Sequence, residues 1–292
     1  MHCARYPMFS KSSLARCGGS AVMIVSAVAG LLGVGVRTDA AVTDVSDYLV
    51  GKTVTYTQTG NTTPTISSSN PYQFATEIDN GSSGAVLATS TLTLPAGATG
   101  SVTYAPNSDN TAMKYKQFYA SSSALNAAFP DGNYTFNINT STPNTYSATL
   151  ALSGMTYPTD IGTISNTNWS GGALVIDPTQ SYTFTWNAST DLHLSFSLNN
   201  TNINDSVFNS GSGLPGSYTI AANTLSPGQT YVGQLGFANG VIDTSQISGV
   251  TGAAYYQNDT QFTVVTTPEP AAGILLLTGV AAIGLLARRK AV

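Results

Sequence analysis

Apolar and polar residues alternate with a period of two through much of the chain. Val54-Thr-Tyr-Thr-Gln, Ala85-Val-Leu-Ala-Thr-Ser-Thr-Leu-Thr-Leu, Tyr134-Thr-Phe-Asn-Ile, Tyr182-Thr-Phe-Thr-Trp and Leu192-His-Leu-Ser-Phe-Ser-Leu all carry it. Successive strand side chains point to opposite faces, so each run predicts a half-buried β-strand. Gly, Pro, Asn and Asp punctuate the runs, as turns require. Only Ser122 to Phe129 reads as a helix, and a short one. The expected fold is all-β, built as one or two antiparallel β-sandwich domains.

Two stretches break the alternation. Ala21 to Val36 is apolar or small except for Ser26, and it follows Arg5, Lys11 and Arg16. Thr38-Asp39-Ala40 then places small residues at the −3 and −1 positions of a cut after Ala40. This predicts a signal peptide over 1–40. Ala271 to Ala287 holds no charge and is followed by Arg288, Arg289 and Lys290. As a helix it would span about 26 Å, enough for a bilayer core, with the basic cluster holding that end in the cytoplasm. Both stretches predict the same topology, with the body exported.

A boundary near Thr163 to Gly172 divides the body into expected sandwiches over 41–165 and 166–267. Phe129-Pro-Asp-Gly-Asn-Tyr-Thr-Phe is echoed by Leu214-Pro-Gly-Ser-Tyr-Thr-Ile, a Pro/Gly turn feeding a tyrosine-led strand each time. The same echo is also what common turn chemistry, reused, would give.

Composition narrows the function classes. Charged residues are 8% of the 292. From Ala41 to Thr267 three lysines, Lys52, Lys114 and Lys116, face twelve carboxylates with no arginine. Such a surface repels phosphate backbones, which argues against a nucleic-acid partner. Cys3 and Cys17 both precede the predicted cut. The mature body would then have no disulfide, no Cys metal site and no thiol nucleophile.

Catalytic chemistry is sparse. His193 is the single histidine of the body. It alternates with Leu192 and Leu194, which predicts a surface strand position. No G-x-S-x-G elbow, P-loop or dinucleotide fingerprint is present. Glu77 with Asp79, or Asp44 with Asp47, offers oxygen ligands for calcium, but no loop of defined spacing supports a metal site. Most other carboxylates, Asp131 among them, sit beside turn residues. Tyr115, Phe118 and Tyr119 cluster in Met-Lys-Tyr-Lys-Gln-Phe-Tyr, and Tyr255 and Tyr256 are adjacent, so in a strand one would face out. Exposed tyrosines stack on sugar rings; the plainer expectation is core and cross-strand packing. No catalytic residue, cofactor or metal is expected, and the chain reads as a non-enzyme.

Two resemblances add to this. Residues 268–292, with Pro268-Glu269-Pro270, the apolar helix 271–287 and Arg288-Arg289-Lys290 in that order, resemble the PEP-CTERM sorting signal of Gram-negative bacteria. That implies export through the Sec translocon and a transient inner-membrane anchor. It implies next recognition by an exosortase-type processing enzyme and a place at the cell surface or in the exopolysaccharide matrix. Leu225-Ser-Pro-Gly-Gln-Thr-Tyr231 is similar to the turn of fibronectin type III domains, which implies a tyrosine corner at Tyr231 and a core tryptophan at Trp186. The function expected is a structural or adhesive role at the surface. The alternatives are carbohydrate binding in the exopolysaccharide matrix and a secreted glycan hydrolase.

Overall fold

Threonine, valine, tyrosine and phenylalanine fill the alternating runs, and these are the residues that suit a pleated, half-buried surface. The computed structural model describes residues 44–81, 87–107, 110–141, 144–190, 193–198, 201–208 and 215–268, with 201–208 described in their backbone only. In chain order the elements are β1 (Val45–Gln58), β2 (Thr65–Ile66), β3 (Tyr72–Asn80), β4 (Thr91–Thr93), β5 (Ala105–Pro106), β6 (Ala112–Tyr119) and the helix α1 (Ser122–Ala128). They continue as β7 (Gly132–Asn139), β8 (Thr145–Leu152), β9 (Trp169–Ser170), β10 (Ala173–Ile176), β11 (Tyr182–Thr185) and β12 (His193–Leu198). The last four are β13 (Thr201–Phe208), β14 (Ser217–Ile220), β15 (Thr230–Asp243) and β16 (Thr251–Thr266). The described chain is thus all-β with one short helix. That helix is capped by the Ser121 side chain, which accepts from the Ala124 N–H.

An eleven-stranded sheet runs β13-β12-β15-β16-β1-β3-β6-β5, with β2 on β1 and the pair β9–β10 on the end of β16. The expectation of purely antiparallel pairing is corrected here. β1 lies parallel to Thr251–Phe262 of β16, and β10 lies parallel to Thr263–Thr266. A hairpin forces antiparallel neighbours only when strands are joined by a tight turn. β1 and β16 stand at opposite ends of the body and are free to enter side by side.

Two small sheets, β4-β7-β8 and β11-β14, cover the large one. The first closes a core with Tyr48, Val50, Phe74, Ile78, Tyr134, Phe136, Leu150, Ala254 and Tyr256. The second closes another with Phe184, Trp186, Phe196, Ile220, Leu235, Phe237, Phe262 and Val264. On β16 the core residues Ala254, Tyr256, Phe262 and Val264 share one parity. Both cores therefore lie on the same face of the sheet.

The connection between the cores crosses that face. The Asn258 amide, midway along β16, donates to the Pro158 and Asp160 carbonyls at 2.8 and 3.0 Å. Gln58, at the end of β1, accepts from the Ile164 N–H at 2.9 Å and donates to the Ile164 carbonyl at 2.8 Å. A side-chain amide thus imitates a strand neighbour, and it ties the first half of the chain to Ile164 of the second core. Tyr134 and Tyr218, the echoed tyrosines, lie in β7 and β14, one in each covering sheet.

Several glycines in the long strands are seats for aromatic rings from the adjacent strand. The Tyr255 ring lies over Gly51, Phe262 over Gly233 and Tyr48 over Gly252. A Cβ on Gly51 would stand 2.1 Å from the Tyr255 ring, whereas one on Gly60 would meet nothing within 4 Å. Gly51→Ala should therefore destabilise the fold by about 1–3 kcal/mol in denaturant titration, and Gly60→Ala should leave the midpoint nearly unchanged. Equal effects at the two positions would contradict the ring placement.

Candidate functional site

The end of β16 is where the body hands over to the sorting-like segment. Thr266 is locked there from several directions. Its N–H donates to the Gln229 carbonyl at 2.9 Å, and its hydroxyl donates to the Ser226 carbonyl at 2.7 Å and accepts from the Gln229 N–H at 2.8 Å. Thr267 donates to the Ile176 carbonyl at 2.9 Å and accepts from the Gly228 N–H at 3.2 Å. All but one of these partners belong to the Leu225–Tyr231 turn. Gly228 has φ of 65°, a left-handed conformation that glycine adopts without strain. Its missing Cβ would come within 3.8 Å of Pro268. The Tyr231 hydroxyl accepts from the Ser226 N–H at 2.8 Å and so closes the turn.

The turn thus meets the end of β16, which lies far from it in sequence and leads into Pro268. The L-S-P-G-Q-T-Y turn forms a collar around Thr266, Thr267 and Pro268. Ala40, Glu269, Pro270, Arg288, Arg289 and Lys290 lie outside the described residues, as do the segments 1–40 and 271–287. Among the described residues no helix is long and apolar enough to cross a membrane. Trp186 is buried in the second core, and its indole N–H donates to the Pro215 carbonyl at 2.7 Å.

A second tyrosine-closed turn went unread in the sequence. The Tyr134 hydroxyl donates to the Pro130 carbonyl at 2.6 Å. The signal was present in Phe129-Pro-Asp-Gly-Asn-Tyr, a proline-glycine turn leading into a tyrosine.

The carboxylates regroup relative to expectation. Asp44 accepts from Thr140 Oγ1 at 3.0 Å and Asn144 Nδ2 at 2.7 Å, apart from Asp47. Asp47 instead meets Asp79 across the β1–β3 pair, on the sheet face opposite the cores. The two share a side-chain hydrogen bond, Asp79 is also hydrogen-bonded to Glu77, and Lys114 of β6 forms an ion pair with Glu77. Burial, with the Asp79 hydrogen bond and charge adding to it, pushes Asp47 up to about 8. Burial likewise pushes Asp79 up to about 7, and it raises Glu77. On the same face Asp259 is raised to about 7 by burial and accepts from the Gln234 amide at 2.7 Å. Among the described residues no group of three or more His, Cys, Asp or Glu is arranged to hold a metal ion.

Two expectations of exposure are corrected. His193 is only 3% exposed. Alternation placed it on the face away from Leu194, and that face is itself buried at this point. Tyr255 and Tyr256 are both buried, Tyr255 over Gly51 and Tyr256 in the first core. Tyr115 and Tyr119 pack edge-on against Phe129, while Phe118 is exposed with Lys116 above its ring. Most of this aromatic cluster serves the core.

No protein-family model matches the chain. A search of curated proteins finds no match either.

The carboxylate cluster sets a pH dependence. Asp47, Asp79 and Asp259 hold their protons in the folded chain at pH values where they ionise in the unfolded chain. Between about 4 and 8 the folded state then binds more protons, so stability falls as pH rises through that window. Thermal melts should give a higher Tm near pH 5 than near pH 8, and Asp47→Asn with Asp79→Asn should flatten the slope. A Tm that rises across this window would contradict the cluster's assigned protonation.

Proposed function

We propose that the protein is an exported, surface-displayed β-sandwich protein with a structural or adhesive role, sorted by an exosortase-type enzyme and without catalysis of its own. The collar around Thr266 to Pro268 carries this reading. The last backbone pairing of β16 is completed at Thr266 and Thr267, immediately before Pro268-Glu269-Pro270. A cut within or after that motif leaves every described strand and both described cores intact. Proline disfavours helix and sheet at such positions, which suits recognition of an extended backbone by an enzyme at the membrane. Export through the Sec translocon and a transient inner-membrane anchor at 271–287 complete the route. The structural role is put before glycan binding because Tyr115 and Tyr119 pack against Phe129 and both Tyr255 and Tyr256 are buried.

Intact mass of the protein recovered from envelope and medium tests this directly. The proposal expects one cut after Ala40 and another near Pro268-Glu269-Pro270. It also expects that Glu269→Ala or deletion of 271–292 changes processing or surface display while the body keeps its fold. Unchanged mass and location in both variants would remove the sorting assignment.

A further inference from the structure

Lys52 is fully buried on the core side of β1. Its Nζ donates to Asn126 Oδ1 at 2.8 Å and to Asp131 Oδ1 at 2.6 Å. Asn126 lies in the last turn of α1, and Asp131 in the loop that enters β7. Phe129, between them, stacks on Phe74 of β3 with ring centroids 3.8 Å apart and pins this segment over β1. The Tyr256 hydroxyl donates to the same Asp131 oxygen at 2.5 Å, and Lys52 Nζ sits 5.6 Å from the Tyr256 ring centre. Tyr157 packs edge-on against Tyr256. A buried amine thus meets an amide carbonyl and a carboxylate at the rim of an aromatic cluster, with Asn126 and Asp131 themselves exposed.

We propose that Lys52, Asn126 and Asp131 form an intramolecular amide cross-link, with Lys52 Nζ as nucleophile, the Asn126 side-chain carbonyl carbon as acceptor and Asp131 as proton carrier. Burial lowers the proton affinity of Lys52, opposed by Asp131, which favours the neutral amine that attack requires. Asp131 accepts the proton from the Lys52 ammonium. The free Nζ then bonds to Cγ of Asn126, whose oxygen it already contacts. Asp131 delivers that proton to Nδ2, the Cγ–Nδ2 bond breaks and ammonia departs. Asp131 then takes the second proton from the linking nitrogen, leaving a neutral amide, and passes it to solvent, where the ammonia is protonated. No oxidant or cofactor enters. Asn126 is the acceptor because Asp131 is engaged as the proton carrier, while the Asn126 carbonyl oxygen lies 2.8 Å from Nζ. Tyr256 holds the carboxylate at the amine, so positioning replaces a chance encounter.

The bond would join β1 to α1 across 74 residues of chain. It would act on the unfolded ensemble as a disulfide does, in a body that has no cysteine between Ala41 and Thr267. The inference is independent of the sorting reading, because it concerns peptides that are the same whether or not the tail is removed.

Peptide mapping by mass spectrometry of the purified, denatured chain tests it. The expected result is one branched species joining the Lys52 and Asn126 peptides, lighter than their sum by one ammonia, with no tryptic cut after Lys52. Asn126→Ala, at an exposed helix position, should fold, return Lys52 to a linear peptide and lower the Tm. Asp131→Asn should leave most of the protein unlinked at native-like circular dichroism. Linear peptides with a free Lys52 amine and intact Asn126 in the folded wild type would overturn the proposal. A species lighter by one water that joins Lys52 to Asp131 would overturn the choice of Asn126.

Discussion

The hydrogen bonding of β16 is the constraint on which the rest of the molecule depends. This strand pairs along its whole length with β15, along most of it with β1, and at its end with β10. Its core face supplies Ala254 and Tyr256 to one cluster and Phe262 and Val264 to the other. Between them Asn258 holds the connecting segment down. The first and last described strands are neighbours, so the sheet is completed only when nearly the entire body has come together. That closure carries a chain-entropy cost which local hairpins avoid, and the two buried cores offset it.

The proposed function rests on the same strand. Its end is gripped by the Leu225–Tyr231 turn, and the sorting-like motif starts where the grip stops. On the proposed function, a pull on the tail would load β16, the most heavily paired strand, and reach both cores through its backbone hydrogen bonds. The Lys52 site lies on β1, beside Tyr256 of β16, in the same load path. The polar groups of the opposite face lie on the same strands: Asp47 on β1, Glu77 and Asp79 on β3, Asp259 on β16.

The short strands were legible because each buries one face and wets the other. Tyr134 to Ile138 and Tyr182 to Thr185 alternate cleanly, and both belong to the small covering sheets. The long central strands were not. β1, β15 and β16 contain Gly51, Gly236, Gly240 and Gly252, which read as breakers. In the sheet Gly51 and Gly252 are seats for Tyr255 and Tyr48, an exchange of side-chain volume across strands that one sequence segment does not reveal. Asn258 and Asp259 likewise look like turn residues, yet both are buried mid-strand because each finds a hydrogen-bond partner. The turn at Tyr231 was readable from local spacing, but its role around Thr266 was not, since the contact is long-range. Asp131 reads as a turn carboxylate; only the packing of α1 and its following loop over β1 brings it to Lys52. The first core draws on residues up to Tyr157 and again on Ile247 to Tyr256, the second on Ile164 to Val264, and the large sheet runs through both.

Native-state hydrogen exchange along β16 tests this dependence most directly. If one strand holds both cores, the amides around Ala254 to Tyr256 and those around Phe262 to Val264 should exchange with the same opening free energy, equal to that of global unfolding. One half of β16 exchanging through a separate, lower-energy opening while the other stays protected would contradict the account.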